Sequence, residues 1–106
     1  MRVFKFGGAS VKDAEGIRNV VSVLETMGHE KTLVVVSAMG KTTNAMETLV
    51  DAYFEKIKTG ATKELSEALE AFITFHIEIS EVLFENKSAA IFNDLQLLFE
   101  EIKGFL

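Results

Sequence analysis

The chain has 106 residues, 48% of them hydrophobic and nine of them phenylalanine, with a net charge of −5. That length allows one domain at most with a modest core, and the hydrophobic content excludes disorder as a starting point. The eleven Lys and Arg are scattered, which speaks against a nucleic-acid surface; the lack of cysteine excludes disulfides and thiolate metal sites; and no run approaches the roughly 18 uncharged apolar residues of a membrane span.

Arg2 to Phe6 reads as a short buried strand, and Gly7 to Lys12 as the loop that leaves it. Ser10 and Asp13 are spaced like a variant capping box, with Asp in place of the usual Glu or Gln. The helix that follows places Ala14, Ile17, Val20, Val21 and Leu24 on one face and should stop near Met27, where Gly28 can take a left-handed cap. Thr32 to Val36 is a continuous apolar run, the pattern of a strand buried on both faces. Strand, helix and strand make a βαβ unit with parallel strands and a right-handed crossover.

Ser37 to Thr43 is read as a second loop, and Asn44 with Glu47 as the capping pair of the next helix. That helix carries Met46, Leu49, Val50, Tyr53, Phe54 and Ile57 as its apolar stripe and ends at Gly60. A third helix is predicted over Lys63 to Glu85, with Leu65, Leu69, Phe72, Ile73, His76, Ile79 and Leu83 on one face. Asn86-Lys87-Ser88 breaks it, and a fourth helix carries Ile91, Phe92, Leu95, Leu98, Phe99, Ile102, Phe105 and Leu106. The fold class is therefore α/β: a βαβ unit over residues 1–44 and a helical part over 45–106. Two strands make a poor parallel sheet by themselves, and the chain is still apolar at Phe105-Leu106. The expectation is an amino-terminal piece of a longer polypeptide. Met1 to Phe6 is too short for the apolar core of a secretory signal and Gly7-Gly8 interrupts it, which leads to an expected cytoplasmic setting.

The chemistry concentrates where the strands end. Lys5, Phe6, Gly7, Gly8 and Ser10 stand at the carboxyl end of the first strand, the edge at which open α/β sheets bind ligands. A glycine pair lets backbone N–H groups approach an anion, and the turn and the cradle alike call for open φ values. Lys5 supplies the point charge that a phosphoryl group requires. Ser10 is open to two roles, a hydroxyl donor to phosphate or a cap for the first helix. Ser37 ends the second strand, so it should emerge on the same sheet edge as Lys5. No Gly-x-Ser-x-Gly elbow surrounds Ser37, so it reads as a hydrogen-bonding group rather than a nucleophile. Thr43 and Asn44, taken by themselves, read as a plain helix cap. Gly40-Lys41-Thr42 imitates the end of a phosphate-binding P-loop, but Val35 stands where that motif requires glycine, so the P-loop is rejected. His76 on its apolar face is a packed histidine, and the two histidines are too far apart to suggest a metal pair.

Lys5-Phe6-Gly7-Gly8-Ala9-Ser10-Val11 resembles the aspartate kinase signature K-F-G-G-T-S-V, with Ala9 as the one departure. Val34-Val35-Val36-Ser37-Ala38-Met39-Gly40-Lys41-Thr42-Thr43-Asn44 resembles the next segment of that family, V-V-S-A-x-x-x-x-T-N. The resemblance implies the amino-terminal part of an amino-acid-kinase domain, a three-layer α/β/α fold of the carbamate-kinase-like kind. It implies transfer of the ATP γ-phosphoryl group to the β-carboxylate of L-aspartate, with magnesium whose ligands lie outside this chain. Lys5 would act on the phosphoryl group, Phe6, Gly7, Gly8 and Ser10 would line the nucleotide, and Ser37, Thr43 and Asn44 would hold the substrate. A homo-oligomer is expected, with no nucleic-acid or membrane partner, and the chain alone is expected to be inactive. Two alternatives stay open: another amino-acid kinase with a different acceptor, and a helical self-association module without catalysis.

Overall fold

Each strand is a five-residue run that leaves little choice of pairing. The computed structural model describes residues 1–84 and 89–106. In it β1 (Arg2–Phe6) pairs in parallel with β2 (Thr32–Val36), Arg2 opposite Thr32 and Phe6 opposite Val36. Between them runs α1 (Ala14–Met27); after β2 come α2 (Thr42–Thr59), α3 (Lys63–Leu83) and α4 (Ala89–Phe105). A βαβ unit followed by three helices is what the periodicities predict. The chain divides into two units, Met1–Asn44 and Ala45–Leu106.

The first unit departs from expectation in its sheet. Successive side chains of a strand point to opposite faces, and the two faces are not alike here. Phe4 and Phe6 with Thr32 and Val34 are half-buried, whereas Val3 is 59% exposed, Leu33 50% and Val35 43%. The crossover helix explains which face is covered. An Arg2 Nη2 donates to the carbonyls of Met27 and Gly28 at 2.9 and 3.1 Å, so the end of α1 lies on the side of Arg2, Phe4 and Phe6. One crossover helix covers one face of a two-stranded sheet, so the second strand is not buried on both. Val36 is also 53% exposed, at the very end of the ladder.

The boundary of α1 corrects another expectation. Asp13, not Ser10, is the cap: its Oδ1 accepts from the Gly16 N–H at 2.8 Å while its carbonyl accepts from Ile17 N–H at 3.1 Å. Asp13 immediately precedes the first helical residue, whereas Ser10 lies in the preceding turn, its N–H donating to the Gly7 carbonyl at 3.0 Å. At the other end Gly28 takes φ 76° and ψ 159°, a region essentially reserved for glycine.

The second unit is helical, and its core is Leu49, Ala52, Leu65, Phe72 and Phe99, with Tyr53, Leu69, Ile73, Leu95 and Ile102 packed around it. Gly60 ends α2 as predicted, at φ 76° with its N–H donating to Lys56 O at 2.8 Å. The stripe predicted for α2 is split. Leu49 is 2% exposed, but Phe54 is 54% and Ile57 62% exposed, because Ala45 and Ala52 turn the buried face a third of a turn away from them. Phe72 and Phe99 meet edge to face at 6.3 Å between α3 and α4. His76 is a packed histidine: its Nδ1 lies 2.8 Å from the Phe72 carbonyl and its ring contacts Phe72, Phe75 and Phe99. The predicted end of α3 at Glu85 and the break at Asn86-Lys87-Ser88 lie outside the described residues.

Candidate functional site

Parallel pairing brings both strand ends to one edge, and the ladder extends one step beyond them. The Ser37 N–H donates to the Phe6 carbonyl at 2.9 Å, so the loop after β2 starts bonded to the residue that opens the glycine pair. From there the first loop folds as two overlapping turns, Ser10 N–H to Gly7 O at 3.0 Å and Val11 N–H to Gly8 O at 3.3 Å. Val11, 2% exposed, anchors the loop's far end.

Gly8 is where the two loops touch. A Cβ built on Gly8 would stand 3.1 Å from the Gly40 carbonyl oxygen, 3.6 Å from that of Ala38 and 3.9 Å from Ser37 Oγ. Gly7 differs: a Cβ there would meet nothing within 4 Å, and the residue is exposed. One glycine therefore permits a close backbone approach, while its neighbour faces open space. The open φ values expected of the pair lie elsewhere. The positive-φ glycines are Gly28, Gly40 and Gly60, and in the two loops only Gly40, at 53°, has one.

Lys5 sits opposite Val35 in the ladder, on the exposed face with Val3 and Leu33, and its side chain is exposed. Phe6 is half-buried, and its ring lies 6.4 Å from that of Phe4 on the α1 side. Phe6 thus contributes packing and a carbonyl, both committed within the unit. Ser10 is exposed. Thr43 and Asn44 are exposed in the first turn of α2, which begins at Thr42, ahead of the start that an Asn44 cap predicts. The start is set by Thr42, whose N–H and Oγ1 both donate to the Met39 carbonyl. The Thr42 hydroxyl acts here as a donor to the preceding turn, not as the acceptor that an N-cap supplies.

One residue of this site escapes a motif reading. Gly16 in the first turn of α1 lies so close to the loop that a Cβ there would stand 2.5 Å from the Ser10 carbonyl oxygen and 3.3 Å from Asp13 Oδ1. Helix α1 and the loop are thus pressed together at a glycine, and a side chain at position 16 requires the loop to move. A lone glycine inside a helical pattern is the only sequence trace of it.

Chemically, an exposed cation, an open glycine and a helix N-terminus suit an anion with several oxygens. At Gly7 a Cβ would enter open space, so the backbone there is free to be approached by an anion. A magnesium ion has no comparable donor set, since no three His, Asp or Glu side chains gather as a metal site among the described residues. No described helix is long and apolar enough to cross a membrane.

The model of the amino acid kinase family matches residues 1–101. Aspartokinase 2, chloroplastic, of Arabidopsis thaliana is 33% identical over 103 residues, covering 96% of this chain and 18% of that protein. Bifunctional aspartokinase/homoserine dehydrogenase 2, chloroplastic, of the same plant is 38% identical over 90 residues, 85% of this chain and 9% of that protein. A bifunctional aspartokinase/homoserine dehydrogenase, chloroplastic, of Daucus carota is 38% identical over 87 residues, 68% of this chain and 9% of that protein. The chain spans less than a fifth of the length of each of these relatives. With a family model covering nearly the whole sequence and a βαβ unit that carries the loops, the chain belongs to the amino acid kinase family.

Proposed function

We propose that the chain supplies the phosphate-side and acceptor-side loops of an aspartate kinase. The reaction moves the γ-phosphoryl group of ATP onto the β-carboxylate of L-aspartate: a carboxylate oxygen attacks phosphorus, the bond to the bridging oxygen breaks, and ADP leaves. The observation that carries this reading is the contact of Gly8 with the loop from Ser37 to Gly40, beside Lys5 and the open Gly7. It supports two substrates meeting at one sheet edge. Lys5 neutralises charge on the phosphoryl oxygens; Phe6, Gly7, Gly8 and Ser10 line the nucleotide side; Ser37, Thr43 and Asn44 orient the amino acid. Magnesium, when bound, offsets phosphate charge, and its ligands belong to other parts of a complete kinase domain. The names of the relatives favour aspartate over other acceptors of the family.

The same reading holds the 106-residue chain inactive alone, since it covers a small share of each relative. It places the enzyme in the cytoplasm, although the plant relatives are named as chloroplastic. It also includes homo-oligomers, which the exposed Leu98 and Phe105 of α4 favour.

The test is aspartate-dependent release of ADP by the gene product that carries this chain. Lys5→Ala should lower kcat about 100-fold or more, the usual loss when a charge-stabilising group at a transferring phosphoryl is removed. Thr43→Ala should instead raise KM for aspartate, by about 10-fold for one hydrogen bond. ADP release stimulated by another amino acid, or unchanged by Lys5→Ala, would overturn the assignment.

A further inference from the structure

We infer that Gly40 is a positioning residue: its left-handed turn presses its carbonyl onto Gly8, so that the two loops form one platform and the acceptor-side loop sets the place of the phosphate-side amides. This rests on the phosphate role proposed for Lys5, Gly7 and Gly8.

The geometry is specific. Met39, Gly40, Lys41 and Thr42 form a four-residue turn closed by the Thr42 N–H on the Met39 carbonyl at 3.0 Å, and the Thr42 hydroxyl bonds the same oxygen. Its first central residue is Gly40 with φ 53°, a conformation that a Cβ disfavours. That turn places the Gly40 carbonyl oxygen 3.1 Å from where a Gly8 Cβ would be, tighter than an ordinary contact, so only glycine leaves room for this approach without a shift. The second tie between the loops is Ser37 N–H to Phe6 O at 2.9 Å. The sheet thus ties the second loop to Phe6, and the Gly40 carbonyl takes the space that a side chain on Gly8 would need, while Gly7 next to it stays open. The rejected P-loop likeness of Gly40-Lys41-Thr42 gains a physical account. The glycine is there for the turn, and it reaches phosphate only through Gly8.

The experiment is a titration of the 15N-labelled chain with inorganic tripolyphosphate, followed by amide NMR shifts. In the unaltered chain Gly7, Gly8, Gly40 and Lys41 should shift along one binding curve. Gly40→Ala should raise Kd about five-fold or more and remove the response of Lys41, whereas Gly40→Asn, which tolerates positive φ, should stay within about two-fold of the original Kd. Recovery by asparagine assigns the loss to the left-handed turn rather than to the added Cβ, and unchanged shifts of the α1 and β2 amides in Gly40→Ala show that the fold is kept. If both variants bind as the original does, or both lose affinity equally while Gly7 and Gly8 respond in the original, the role of Gly40 is overturned and the phosphate site stands. If Gly7 and Gly8 do not respond in the original, the phosphate reading falls and this inference with it.

Discussion

At the scale of single residues, the backbone sets stricter terms than the side chains do. Gly28 has φ 76° and ψ 159°, and a Cβ on it would meet only Arg2 Nη2, at an ordinary 3.7 Å. Space is therefore not the issue; the conformation is. Gly28→Ala should destabilise the first unit by about 1–3 kcal/mol, read as a lower midpoint in urea. Asp13 is the second such residue. Its Oδ1 is the acceptor for Gly16 N–H at 2.8 Å, so Asp13→Ala should cost about 1 kcal/mol and Asp13→Asn much less, since the amide oxygen caps nearly as well. Equal losses in the two variants would mean that the capping bond contributes little. Both positions were partly legible. Gly28 announces itself after an amphipathic stretch, whereas Ser10 and Asp13 are each plausible caps in one dimension. The Gly16 N–H donating to Asp13 Oδ1 at 2.8 Å decides between them.

At the scale of elements, the strands and helices were readable because each has one dominant periodicity and a clear punctuation mark. Both strands match their predicted spans, and α2 closes at its predicted glycine. What could not be read was the environment of each face. The run Thr32 to Val36 suggests burial on both sides, but burial depends on how many elements reach the sheet, and Leu33 and Val35 are exposed. The stripe of α2 failed in the same way: Val50, Phe54 and Ile57 are as apolar as Leu49 yet lie outside the core that Leu49 and Ala52 join. Two adjacent apolar stripes on one helix have the same hydrophobic spacing, and only packing chooses between them. The contrast yields a prediction. Phe99, 4% exposed and edge to face with Phe72, should cost about 3–5 kcal/mol when changed to Ala, whereas Phe54→Ala, at 54% exposure, should cost far less. Comparable losses in thermal melts of the two variants would place Phe54 in a core that these contacts do not contain.

At the scale of the whole molecule, charge and apolar surface are unevenly spread. Residues 1–44 hold six Lys and Arg against four Asp and Glu, and residues 45–106 hold five against twelve, hence +2 and −7. Large apolar side chains are exposed in both units: Val3, Leu33 and Val35 on the sheet, Leu97, Leu98 and Phe105 on α4. Association between copies can follow either feature, and salt tells them apart. If opposite charges of the two units attract, raising the ionic strength screens the attraction and weakens the assembly. If apolar faces drive it, salt screens the mutual repulsion of chains that each carry −5 and strengthens it. The second is expected, because the apolar residues are exposed at 56% for Leu98 and 78% for Phe105 and because each chain carries −5 and repels its copies. Sedimentation velocity of the purified chain should therefore show a larger assembled fraction at 0.5 M than at about 0.05 M salt, the Debye length falling several-fold over that range. Leu98→Ser with Phe105→Ser should return the chain to monomer at both salt levels. Dissociation at high salt would transfer the interface from α4 to the charges.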